Sequence, residues 1–117
     1  MGFRGDNACF AWWNGDSRNG GSTRDSYNVS GFTDHVGGDM TISFSTNPEN
    51  NDYVVFGTGA YWDSHQDGNL IYAAPNRYAE SMMTTSGCRV NWCYPGINAN
   101  ASLTASALAT VAFIGDS

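Results

Sequence analysis

Residues 39 to 60 read Asp39-Met40-Thr41-Ile42-Ser43-Phe44-Ser45-Thr46-Asn47-Pro48-Glu49-Asn50-Asn51-Asp52-Tyr53-Val54-Val55-Phe56-Gly57-Thr58-Gly59-Ala60. Met40, Ile42 and Phe44 alternate with Thr41, Ser43 and Ser45, so one face carries carbon and the other hydroxyls, the pattern of a half-buried strand. The polar run Asn47 to Asp52 then turns the chain, because Pro48 fixes its own φ and Asn and Asp bond nearby backbone. Tyr53-Val54-Val55-Phe56 follows without a polar break, as a strand buried on both faces reads. A strand, a turn and a core strand in succession predict an all-β fold.

Working outward, Ala8 to Asn14 (Ala-Cys-Phe-Ala-Trp-Trp-Asn) is a strand candidate, and Asn14 to Gly21 is dense in turn formers and reads as a loop. Ser22 to Asp25 predicts a short strand. Ser26 to His35 alternates weakly, with Tyr27, Val29 and Phe32 inward, before Gly37-Gly38 turns the chain. Beyond Ala60, Tyr61 to Gly68 is a polar loop, Asn69 to Ala74 a strand, Pro75-Asn76-Arg77 a break and Tyr78 to Thr85 a short strand. Gly87 to Tyr94 alternates cleanly, with Cys88, Val90, Trp92 and Tyr94 on one face and Arg89, Asn91 and Cys93 on the other. Pro95 to Ala101 is a loop. Ala105 to Ile114 closes the chain, with room for a helical turn before a strand over Ala109 to Ile114. Strands at roughly ten-residue spacing predict an antiparallel β-sandwich of six to eight strands. Residues 1–117 are expected to form a single domain, with 1–7 a lead-in. Its core should include Trp12, Met40, Ile42, Phe44, Val55, Val90, Trp92, Val111 and Phe113.

Composition narrows the function. The 117 residues contain no Lys, and the formal charge of −6 argues against nucleic-acid phosphate or an anionic membrane as partner. No apolar run approaches the ~20 residues of a membrane-spanning helix, and residues 1–20 lack a basic-then-apolar leader pattern. Cys9, Cys88 and Cys93 are an odd number, and the spacing of the last two puts them on opposite faces of one strand. All three are expected to be buried, reduced thiols.

The densest polar stretch is Tyr61-Trp62-Asp63-Ser64-His65-Gln66-Asp67-Gly68-Asn69. Asp63, His65, Asp67 and Gly68 resemble the opening of an EF-hand calcium loop, but Ala74 stands where such a loop needs its bidentate Glu. Asp63, His65 and Asp67 at i, i+2 and i+4 are spaced to hold a transition metal. As a sugar site, Tyr61, Trp62 and Tyr72 would stack on the ring while Asp63, Asp67 and Asn69 bond its hydroxyls; the plainer reading is a solvated loop. Asp34, His35 and Asp39 form a smaller cluster with no nucleophile motif near it. No zinc spacing and no phosphate-binding glycine motif is present, so no catalytic residue, metal or cofactor is expected. The triplets Asn28-Val29-Ser30 and Asn100-Ala101-Ser102 match the glycosylation sequon without a leader to support it.

Four blocks carry a family resemblance: Cys9 to Gly15 (Cys-Phe-Ala-Trp-Trp-Asn-Gly), Arg24 to Asp34, Gly38 to Phe44, and Pro48 to Val55. They resemble a domain of tailed-phage virion proteins, often the C-terminal tip of tail fibres, which is similar to the H-type lectin β-sandwiches. The likeness extends to about Ala60 and returns at Val111 to Gly115; Gly15 departs from it, standing where the pattern usually has Phe. The resemblance implies a homotrimer on the virion surface, made in the host cytoplasm, with structural and adhesive work and no catalysis. Its partners would be its own copies, other phage structural proteins and a host surface glycan, through loops Tyr61 to Asn69 and Asn14 to Gly21. A fibre shaft normally precedes such a tip, whereas Met1 stands close ahead of this domain, so either a stand-alone virion protein or the end of a fibre is expected. The alternative is a free lectin-like carbohydrate-binding module.

Overall fold

The computed structural model describes residues 9–60, 71–75, 82–94, 102–103 and 106–116. All nine elements named within them are strands: β1 (Cys9–Asp16), β2 (Ser22–Tyr27), β3 (Val29–Asp34), β4 (Asp39–Phe44), β5 (Val54–Ala60), β6 (Ile71–Pro75), β7 (Gly87–Tyr94), β8 (Ser102–Leu103) and β9 (Leu108–Ile114). Eight follow one antiparallel path, β2-β1-β9-β5-β6-β7-β4-β3, and the two-residue β8 pairs with β7 off that path. The sheet folds over so that β2-β1-β9-β5 faces β6-β7-β4-β3. Hydrogen bonding continues across the β5–β6 ladder, so the sandwich is one sheet, closed except between β2 and β3.

Asn28 bridges that opening. It is the residue between β2 and β3, at φ 54°, a left-handed conformation that Asn tolerates better than most residues. Its Nδ2 donates to Phe10 O at 3.0 Å and Thr46 O at 2.9 Å, and its Oδ1 accepts from Thr46 N at 2.7 Å. The side chain therefore ties the start of β1 to the chain leaving β4. With its amide committed on both sides, the Asn28 sequon is a structural corner.

The core fills the space between the halves in two aromatic groups. Phe10, Phe44, Tyr53 and Phe113 pack edge to face, with ring centroids 5.2 Å apart for Phe10–Phe44 and 5.0 Å for Phe44–Phe113. Trp13 stands 5.7 Å from both Trp92 and Phe32. Edge-to-face geometry adds to the area buried because the positive ring edge meets the negative face. Polar tips are satisfied: Trp13 Nε1 donates to Thr23 Oγ1 at 2.8 Å, Trp92 Nε1 to Thr110 O at 3.2 Å, and the Tyr53 hydroxyl lies 2.9 Å from Thr84 O. Burial pushes the Tyr53 phenol well above its ordinary range and the Cys88 thiol up to about 12.

Most of the expected core is present, with Met40, Ile42, Phe44, Val90, Trp92, Val111 and Phe113 all buried. Trp12 is replaced there by its neighbour. A register shift between Cys9 and Ala11 against β9 turns Phe10, Ala11 and Trp13 inward and leaves Trp12 on the outside. Val55 is only partly buried against the core. The run Tyr53 to Phe56 is not buried on both faces, because Val54 and Phe56 point outward and are 60% and 49% exposed. Tyr27, expected inward, is 56% exposed for want of a second layer outside β2. Cys9 is an exposed thiol, while Cys88 and Cys93 are buried and free.

Several element boundaries moved. β1 runs on to Asp16, which shortens the first loop; the expected run Ser26 to His35 breaks at Asn28, with Ser26 and Tyr27 joining β2; β5 begins at Val54 and runs on to Ala60; and β6 includes Pro75, paired with Val90. Of the expected strand over 78–85, residues 78–81 lie outside the described residues and 82–85 contribute one bridge, Met83 to Cys88. The helical turn allowed for ahead of Ala109 is not found among the described residues: Ser102–Leu103 form β8, Leu108 already belongs to β9, and 104–105 lie outside them.

Candidate functional site

Tyr61, Trp62, Asp63, His65, Asp67 and Asn69 all fall in 61–70, outside the described residues. What surrounds that stretch is described. β5 ends at Ala60 opposite Leu108, and Gly59 and Gly15 both pair with Ala109. The chain entering 61–70 and the loop after β1 thus leave the sandwich at the same end. That loop is held internally. Ser17 N–H donates to Ser106 O at 2.9 Å, Ser106 N–H to Ser17 Oγ at 2.7 Å, and Arg24 Nη1 to Gly15 O at 2.6 Å. Arg18 grips Asp16 through Nη2 at 2.8 Å, which holds the Asp16 carboxyl below its usual range. Gly15, the departure from the fibre-tip pattern, has a steric cause, since a side chain there would strike the Trp13 ring and the Ser22 carbonyl.

The cluster Asp34, His35 and Asp39 does not converge. Asp34 Oδ1 accepts from Val36 N–H at 2.9 Å, and His35 Nε2 lies 2.8 Å from Thr41 Oγ1. Asp39 turns instead to β7, taking Arg89 Nε at 2.9 Å, Arg89 Nη2 at 2.7 Å and Asn91 Nδ2 at 2.9 Å. The Arg89 guanidinium, its strongest partner, holds the Asp39 carboxyl below the usual carboxylate range despite its burial. Among the described residues no group of three His, Cys, Asp or Glu could hold a metal ion, and no helix is long and apolar enough to cross a membrane.

The outer faces of the two halves differ in chemistry. Outside β4 and β7 the Asp39–Arg89–Asn91 network borders a groove of about 190 Å³ lined by Thr41, Ser43, Thr84, Ser86 and Arg89 together with the apolar Met82. Outside β1, β9 and β5, Cα pairing sets Tyr27, Trp12, Ala112 and Phe56 in one row across four strands. Cys9, Ile114 and Val54 form the next row. Because Ala112 is small and lies between two aromatic positions, a slot of about 250 Å³ opens there, walled by Trp12 and Phe56. β5 presses so close to β9 that a Cβ at Gly57 would strike the Thr110 carbonyl. Beyond the slot runs a polar row, Asp25, Asn14, Thr110 and Thr58, with the two threonine hydroxyls 3.2 Å apart.

The apolar face escaped the sequence reading because Trp12, Val54 and Phe56 look like core when taken alone. Their phase held the signal: Val54 and Phe56 share parity with each other and not with Tyr53 and Val55. Searches against protein-family models, curated proteins and solved structures find no match to this chain.

Proposed function

We propose that this chain is a non-catalytic bacteriophage virion surface protein of tail-fibre-tip or capsid-decorating type, working as a homotrimer in attachment or particle cohesion. One observation carries the reading. The four stretches that resemble the fibre-tip domain converge on a single frame: Phe10 and Trp13 from the first, Asn28 from the second, Met40, Ile42 and Phe44 from the third, and Tyr53 from the fourth. These residues build the scaffold, which leaves recognition to the loops and outer faces. The loop Ser17 to Gly21 and the chain flanking 61–70 lie together at one end, as a contact tip requires.

Immunogold labelling of intact particles from the source culture, with antibody to this chain, tests the proposal. Gold at the tail tip is expected for an adhesin and gold over the head for a decoration protein. Particles without gold overturn the reading in favour of a free lectin-like module.

A further inference from the structure

We infer that the Asn19–Gly20 peptide is a site of spontaneous deamidation and isoaspartate formation in the folded protein. The inference concerns the chain's own chemistry and stands apart from the virion reading.

An Asn followed by Gly cyclises more readily than other Asn pairs, because glycine has no Cβ to screen its backbone nitrogen. The chain holds two such pairs, Asn14-Gly15 and Asn19-Gly20, and the fold treats them oppositely. Asn19 and Gly20 are exposed in the turn between β1 and β2. Their φ values are 53° and 86°, and Gly21 N–H donates to Arg18 O at 2.9 Å, the pattern of a type I′ turn. Nothing lies within 4 Å of where a Gly20 Cβ would stand. Ring closure needs the Asn19–Gly20 peptide to rotate, and a single turn hydrogen bond spans it.

Asn14-Gly15 is locked. Asn14 pairs with Asp25 on β2 and Thr110 on β9, and Gly15 with Thr23 and Ala109. The Trp13 ring and the Ser22 carbonyl close over Gly15. Rotating that peptide means unpairing β1 from both neighbours, an opening close to global unfolding.

In the reaction the Gly20 backbone nitrogen attacks Asn19 Cγ, the Cγ–Nδ2 bond breaks, and ammonia leaves with the amide proton. The resulting succinimide then takes up one water. Opening at Cγ leaves an aspartate side chain, and opening at the backbone carbonyl carbon leaves isoaspartate, whose main chain runs through Cβ and Cγ. Nothing is oxidised or reduced. Either product makes the formal charge of −6 one unit more negative. Isoaspartate also lengthens the main chain by one carbon and breaks the turn, in the loop that shares its end of the sandwich with the chain entering 61–70.

The test incubates the full chain at mildly alkaline pH, folded and in concentrated urea, and follows both sites by tryptic mass mapping. Cleavage after Arg4, Arg18 and Arg24 puts Asn14 in peptide 5–18 and Asn19 in peptide 19–24, and fragment ions locate the change within each. Deamidation is read as a gain of about 1 Da, with the aspartate and isoaspartate products separating on chromatography. In the folded chain Asn19 should convert at least about 100-fold faster than Asn14, and in urea the two rates should agree within about 10-fold. Asn19→Gln should abolish conversion of 19–24, because Gln would have to close a larger ring. A folded chain in which Asn19 stays as inert as Asn14, while both convert in urea, overturns the inference. So does conversion of both at one rate in the folded chain, since the strand would then protect nothing, and so does inertness of both in urea.

Discussion

The two outer faces of this sandwich are built from strands of the same kind and end up opposite in character. The face of β4 and β7 satisfies itself: Asp39 takes three hydrogen bonds from Arg89 and Asn91, and hydroxyls line the groove beside them. The face of β1, β9 and β5 presents Val54 and Phe56 about half exposed, with Trp12 half-buried beside them. A face that closes its own polar groups needs no partner to be stable in water. An apolar face is stabilised whenever it is covered. The difference teaches that one outer face closes its polar groups within itself while the other leaves apolar side chains half exposed.

The comparison presupposes that both halves are held in one frame, and Asn28 is where the frame can be opened. Asn28→Ala removes three side-chain hydrogen bonds and puts Ala in a left-handed conformation, so unfolding stability should fall by about 2–3 kcal/mol in urea titration. A loss near zero would mean the halves are held without that corner.

The face of β4 and β7 is tested at Asp39. Asp39→Asn strands Arg89 and should cost about 1–2 kcal/mol at neutral pH. Because the folded-state pKa of Asp39 is depressed, its contribution is fully present above the unfolded value and is lost as pH falls through the folded one. The stability gap between wild type and variant should therefore be flat from pH 7 to about 5 and shrink below about 4. A gap that widens on acidification would contradict the ion pair.

A smaller effect with the opposite sign is expected at Val36, in the turn between β3 and β4. It holds φ 75°, which a β-branched residue adopts only under strain, and its side chain is exposed. Val36→Asn should raise stability by about 1 kcal/mol, read as a higher melting temperature. A loss of similar size is expected on the other face, where the Phe56 ring is half buried against β9. Phe56→Ser should lower stability by about 1 kcal/mol in urea titration. No measurable loss would mean that the ring contributes nothing to the frame.

Much of the frame was legible in residue order. Met40, Ile42 and Phe44 are buried and Cys88, Val90 and Trp92 face the core, because period-two alternation follows from strand geometry whatever the neighbours are. Gly37 and Gly38 turn with positive φ as glycines permit. The candidate site was far less legible. Its six residues, Tyr61, Trp62, Asp63, His65, Asp67 and Asn69, were chosen for their chemistry alone, and they fall outside the described residues. The apolar outer face was taken for core, because an apolar residue in a strand has two possible faces and local sequence does not say which one another layer covers.

Sequence by itself therefore determined the all-β class and most of the strand positions, since these depend on φ/ψ preference and on a periodicity that each strand carries within itself. Tertiary structure decided the rest. The register shift at Cys9 and Ala11 put Trp13 inside and Trp12 outside, and pairing across fifty residues joined Asp39 to Arg89 and Asn91. Strand order set Tyr27, Trp12, Ala112 and Phe56 in one row. Each depends on which strands become neighbours, and that is settled by the packing of the whole sheet.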